Sequence, residues 1–164
     1  MDIRRIRTAL LTAALLAGSG LPAVQAQNPG ATSAPANRIV GHWTSDVALG
    51  SCQGGPAFVR FVGFTTYHAG GTLSDTNNTP SALRSPGHGS WKYLGDNSYA
   101  TRFQIFRFLP SGQYDGYADI RTTTVLAADG ETAETEVHAR NFNPDGSFRG
   151  ELCGVADGNR VSID

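Results

Sequence analysis

The chain has 164 residues, 13 of them basic and 14 acidic, with 40% apolar residues and two cysteines. One domain is the natural expectation for that length, and a near-neutral charge with Lys92 as the only lysine lacks the electrostatic footprint of a nucleic-acid binder. No apolar run reaches the roughly 20 residues that a membrane-spanning helix needs.

The first 26 residues read as a signal peptide. "MDIRRIR" is a cationic start, "TALLTAALLAG" is an apolar stretch of the right length, and "LPAVQA" supplies a helix-breaking Pro22 followed by Val24 and Ala26 at the positions where a signal peptidase reads small residues. An uncleaved anchor is the rival reading, and the short apolar run argues against it. Only the Arg4-Arg5 pair suits a twin-arginine signal, and no cysteine near the cleavage site suits a lipoprotein. General export to the periplasm or the medium is therefore expected. Cleavage after Ala26 leaves 138 residues with 10 basic against 13 acidic side chains, a charge of about −3. Residues 27–38, "QNPGATSAPANR", have no apolar periodicity and are expected to form a disordered tether.

From Ile39 to the C-terminus the pattern is that of strands: "IVGHWTSDV", "AFVRFVGFTTY", "SYATRFQIFRFL", "YADIRTTTVLA", "TAETEVHARNF", "SFRGELCGV" and "NRVSI". Turns are expected at 69–71, 95–97, 110–113, 128–130, 144–146 and 156–158, each with a glycine for positive φ. In "TAETEVHARNF" the charged residues Glu134, Glu136, His138 and Arg140 share one parity, and Ala133, Thr135, Val137 and Ala139 share the other. The small face should point inward. In "SYATRFQIFRFL", Tyr99, Phe103, Ile105 and Leu109 fall on one face, with Arg102, Gln104, Phe106 and Phe108 on the other. No mature segment shows a helical apolar repeat. The predicted fold is all-β: one antiparallel up-and-down barrel of eight to nine strands over 39–164, whose closure would remove exposed edges.

Cys52 and Cys153 suggest one disulfide in an exported chain, closing a loop of about 100 residues. Bridging would bring the first and last parts of the fold within about 7 Å, as barrel closure does. A pair of free thiols is the alternative; with no C-x-x-C, oxidoreductase chemistry is not indicated.

The stretch 70–91 is polar, poor in core formers, and reads as a long loop, either a lid or rim over a barrel mouth or a poorly ordered crossing without function. His42, His68, His88 and His138 lack metal-ligand spacing, so no metal is assigned. His88 and Ser90 share a parity without a nucleophile elbow, and Glu134 with Glu136 reads as a solvated stripe; no catalytic residue is assigned.

"GHW", Gly41–Trp43, at the opening of the first strand resembles the G-x-W of lipocalins and related calycin barrels. That resemblance implies a barrel-closing Trp43 packed on an arginine from the C-terminal part, for which Arg160 is available. The lipocalin T-D-Y motif is not evident. The layout Gly41/Trp43, Cys52, "TTYHAGGTLSD" and "SPGHGSW" is also similar to secreted bacterial small β-barrel proteins of uncharacterised activity, and spans most of the mature chain.

The expected function is non-enzymatic binding of a small apolar or amphipathic ligand, without cofactor, with Trp43, Phe64, Tyr67, His88, Trp91 and Phe103 as candidate ligand residues. Two other classes stand beside it. One is a ligand-free structural or interaction barrel of the cell envelope; the other is a barrel enzyme such as a cyclase, isomerase or hydrolase.

Overall fold

The structure, a computed structural model, describes residues 35–163. The expected signal peptide and residues 27–34 of the expected tether lie outside the described residues. Eight strands follow in order: β1 (Gly41–Gly50), β2 (Val59–Tyr67), β3 (Thr72–Asn77), β4 (Gly87–Gly95), β5 (Ser98–Phe108), β6 (Tyr114–Leu126), β7 (Thr132–Phe142) and β8 (Phe148–Arg160). Each runs antiparallel to the next, and β8 returns to pair with β1 from Trp43↔Arg160 to Gly50↔Cys153. The sheet is a closed up-and-down barrel.

Alternation along the strands sets inside and outside. In β7, Ala133 and Ala139 are buried, whereas Glu134 and Glu136 are exposed, so the small face does point inward. In β5 the odd positions Thr101, Phe103 and Ile105 face the interior, while Phe106 is 56% exposed. Phe108 departs from the expected parity and faces inward, because the β5–β6 pairing shifts register between Phe106 and Phe108.

Three expectations need correction. Residues 70–91 are not one long loop: β3 and the start of β4 lie within it, leaving 78–86 as the connection. The inward positions of β3 are Leu73, Asp75 and Asn77, two of them polar, so no apolar alternation marks this strand. Backbone pairing with β2 and β4 holds it instead. The "ADG" at 156–158 is not a turn. Ala156 is buried between Val47 of β1 and Thr135 of β7, and β8 continues without a break to Arg160. The packed region also begins before Ile39. Pro35–Asn37 form a 3₁₀ turn, and Arg38 donates from Nη1 to Asn97 Oδ1 at 2.6 Å and from Nη2 to the Ala128 carbonyl at 2.8 Å.

One end of the barrel, the base, is plugged. Ile39, Trp43, Tyr67, Leu73, Tyr99, Leu126 and Ala133 form a buried cluster against which Trp91, Tyr93 and Phe103 pack. Tyr99 donates its hydroxyl to the Pro35 carbonyl at 2.8 Å, so the 3₁₀ turn lies across the plug. Arg160 completes the seal. Its Nε donates to Gly130 O at 2.9 Å, its Nη1 to Val40 O at 2.8 Å and its Nη2 to Arg38 O, while its guanidinium carbon sits 4.5 Å from the centre of the Trp43 ring. Gly41 makes room for it: a Cβ there would lie 2.7 Å from Arg160 Nη1, and the residue has φ 138°. The opposite end, the rim, carries the connections 51–58, 78–86, 109–113 and 143–147.

Candidate ligand cavity

Above the plug the interior is hollow. A cavity of about 360 Å³ runs from Tyr67 and Leu73 up to the rim. That volume lies within the range of small-molecule sites. Its walls are apolar where Val47, Phe61, Phe103, Ile105, Ile120 and Val137 meet it. Small residues keep it open: Gly63, Ala118, Ala139 and Ala156 occupy inward positions where larger side chains would fill the space.

Hydroxyl and amide side chains such as Ser45, Thr101, Thr122 and Asn141 are spread among these apolar walls, and the ionisable groups lie at three levels. On the lower wall, Tyr67 is pushed up to about 12, chiefly by burial, with the Asp75 charge adding to the rise and a hydrogen bond to Thr124 opposing it. Higher up, Arg84 from the 78–86 connection folds inward, and its Nη2 pairs with Asp75 Oδ1. Both partners are buried, the side chains being 7% and 12% exposed. Burial raises the Asp75 carboxyl above its usual range, and the Arg84 charge only partly opposes this. At the rim, Arg107 donates from Nη2 to the Asp115 carbonyl at 3.0 Å. Arg149 makes a two-pronged pair with the Asp115 carboxylate at 2.7 and 3.1 Å, which holds that carboxyl below its usual range.

Among known proteins, no family model and no curated relative matches this chain.

Of the six candidate ligand residues, the structure brings only Tyr67 and Phe103 to the cavity. Trp43 and Trp91 lie in the base. Trp43 donates its indole N–H to Ile39 O at 2.9 Å, and Trp91 donates to His68 O at 3.0 Å, so both serve the plug. Phe64 is 44% exposed on the outer wall, its ring centre 5.7 Å from that of His42. His88 also faces outward, along an outer-wall groove shared with Pro86, Gln104, Phe106, Tyr114 and Tyr117. The other histidines have outer-wall or turn partners as well: His42 with Thr66 at 3.0 Å, His68 with Ser74 at 3.1 Å and His138 with Glu151 at 2.9 Å. Among the described residues, the ionisable cavity-lining groups are thus Tyr67, Asp75, Arg84, Arg107 and Asp115. Sequence reading missed the last four. "R84" and "D75" sit in segments without apolar alternation, and only the inward fold of 78–86 brings them together.

Cys52 and Cys153 form the disulfide, with Cα atoms 4.7 Å apart, across the β1–β8 seam just beyond the last β1 pair. His138 lies beside it, so that ligand-type atoms of Cys52, His138 and Cys153 fall within 4.8 Å of one another. With both sulfurs bonded to each other, this group offers a metal no thiolate.

Proposed function

We propose that this protein is an exported, lipocalin-like barrel that binds one small apolar or amphipathic molecule in its interior without catalysing a reaction. The single observation that carries the reading is the apolar, one-ended cavity of about 360 Å³ above the aromatic plug. The Gly41, Trp43 and Arg160 arrangement at the base supports the likeness to lipocalin-type barrels. Export is supported by the cationic, apolar and small-residue sequence of residues 1–26 and by the disulfide, which suits an oxidising compartment. An aqueous rather than lipid-embedded barrel is supported by its outer wall, where Arg102, Arg121, Glu134, Glu136 and His138 occupy positions that a lipid-facing band keeps apolar.

Titration with the neutral fluorophore N-phenylnaphthylamine tests the reading. Saturable enhancement near one equivalent is expected, with loss in Val137→Phe, which places a ring in the cavity, provided that variant retains its thermal transition. Absence of saturable binding, or binding unaffected in folded Val137→Phe, overturns it. Native mass spectrometry of protein from its source then reports a co-purifying occupant. The interaction-barrel reading draws on Phe106 and Phe148, which are 56% and 52% exposed on the outer wall. It is favoured if the cavity stays empty of every probe.

A further inference from the structure

We infer that the occupant carries an anionic, carboxylate-type head group, held by Arg84 and Arg107 beneath the 78–86 connection with its apolar tail directed toward the base; this rests on the cavity-binding reading above. The observation is a set of buried donors without acceptors. Among the described residues, the buried side-chain nitrogen and oxygen atoms that lack a protein partner are Arg84 Nε, Arg84 Nη1 and Arg107 Nε. All three belong to cavity-lining residues. Arg84 and Arg107 are moreover direct neighbours across an isolated antiparallel bridge. Two like charges set side by side repel, and buried donors without acceptors are costly to maintain.

Counter-charge is unevenly divided. Asp75 answers Arg84, and Asp115 is shared between Arg107 at 3.7 Å and Arg149 at 2.7 Å. Arg149, which is 43% exposed and lies outside the cavity lining, takes the closer share of Asp115, so Arg107 inside the chamber keeps only the longer contact with that carboxylate. Burial, and after it the nearby Arg149 charge, lower the Arg107 pKa, with Asp115 and Tyr114 opposing. A carboxylate supplies a further counter-charge and two acceptor oxygens, which suit the planar donor fork of a guanidinium. Engagement takes a turn of the Arg84 or Arg107 guanidinium on its flexible stem, since the unpartnered nitrogens are shielded from solvent. An alcohol head brings no counter-charge, and an ammonium head is repelled.

Orientation follows from the same geometry. The arginines lie toward the rim, whereas Phe103, Ile120 and Val137 line the wall beneath them. The tail goes down and the head stays high.

Isothermal titration of the full chain with decanoate, decanol and decyltrimethylammonium at neutral pH tests this. Decanoate is expected to bind at one equivalent at least tenfold more tightly than decanol, with the ammonium weakest. Arg107→Gln is expected to narrow the gap between decanoate and decanol. So is the paired change Arg84→Gln with Asp75→Asn, which leaves no unpaired buried carboxylate. Equal binding of decanoate and decanol overturns the inference and leaves the cavity reading standing. Failure of all three, together with N-phenylnaphthylamine, overturns both.

Discussion

At the residue scale, Tyr67 marks the boundary between plug and cavity, and its ionisation provides a probe of that position. Burial keeps the phenol neutral to about 12 in the folded chain, whereas an unfolded tyrosine ionises near pH 10. The raised folded value means that the unfolded state loses its proton first. The associated stability is therefore full below about pH 10 and is lost as pH rises toward 12. Ultraviolet titration should show a tyrosine component ionising near pH 12 that disappears in Tyr67→Phe, with Tyr99, also raised by burial, contributing a separate upward-shifted step. Urea unfolding at increasing pH should show the parent losing about 2–3 kcal/mol that Tyr67→Phe does not lose. Parallel pH profiles for the two proteins would refute the assignment. Tyr67 and Phe103 were legible as candidate ligand residues on strand-forming segments, but Phe64, of opposite parity to Tyr67, reads equally well, since two apolar faces on β2 leave the inward one undecided. The Arg84–Asp75 pair was not legible, since burying a guanidinium and a carboxylate is a tertiary event that polarity in the sequence argues against.

At the scale of elements, "SPGHGSW" shows how much a strand can owe to a missing side chain. Gly89 of β4 stands opposite Phe103 of β5. A Cβ there would lie 2.0 Å from the Arg102 carbonyl oxygen and 2.5 Å from Phe103 Cα, both backbone atoms of the neighbouring strand. Backbone cannot step aside without opening the β4–β5 ladder. Gly89→Ala is thus expected to destabilise by about 3 kcal/mol, the upper end of overpacking costs. Ser90→Ala, on the exposed face, should stay within about 0.5 kcal/mol. Denaturant midpoints for the pair check this, and a Gly89→Ala variant as stable as Ser90→Ala would contradict the geometry. Long strands such as β7 were readable because small or apolar residues from Ala133 to Ala139 on the inner face leave a period of two. β3 was not, because Asp75 and Asn77 replace apolar residues on its inner face. The turn expected at 156–158 failed for the converse reason: its turn-like composition lies between two partners that pair along its whole length.

At the scale of the whole molecule, the disulfide joins residues 101 apart and spans nearly the entire barrel. A covalent loop of that size restricts the unfolded chain by about 4–5 kcal/mol in the chain-entropy account. Cys52→Ser with Cys153→Ser should lower the unfolding free energy by that order, read from urea transitions of the oxidised parent and the variant. A change below about 1 kcal/mol would mean that the β1–β8 pairing alone already supplies the closure. The base and the rim differ in what holds them. Three backbone carbonyls grip Arg160 at the bottom, while the upper end relies on four connections, a clip at the seam and the ion pairs around Asp115. The barrel is in effect a blind alley. On the proposed cavity-binding reading, an occupant would leave through the doorway it entered, and its residence time would answer to changes in the rim connections and not to the length of the strands below.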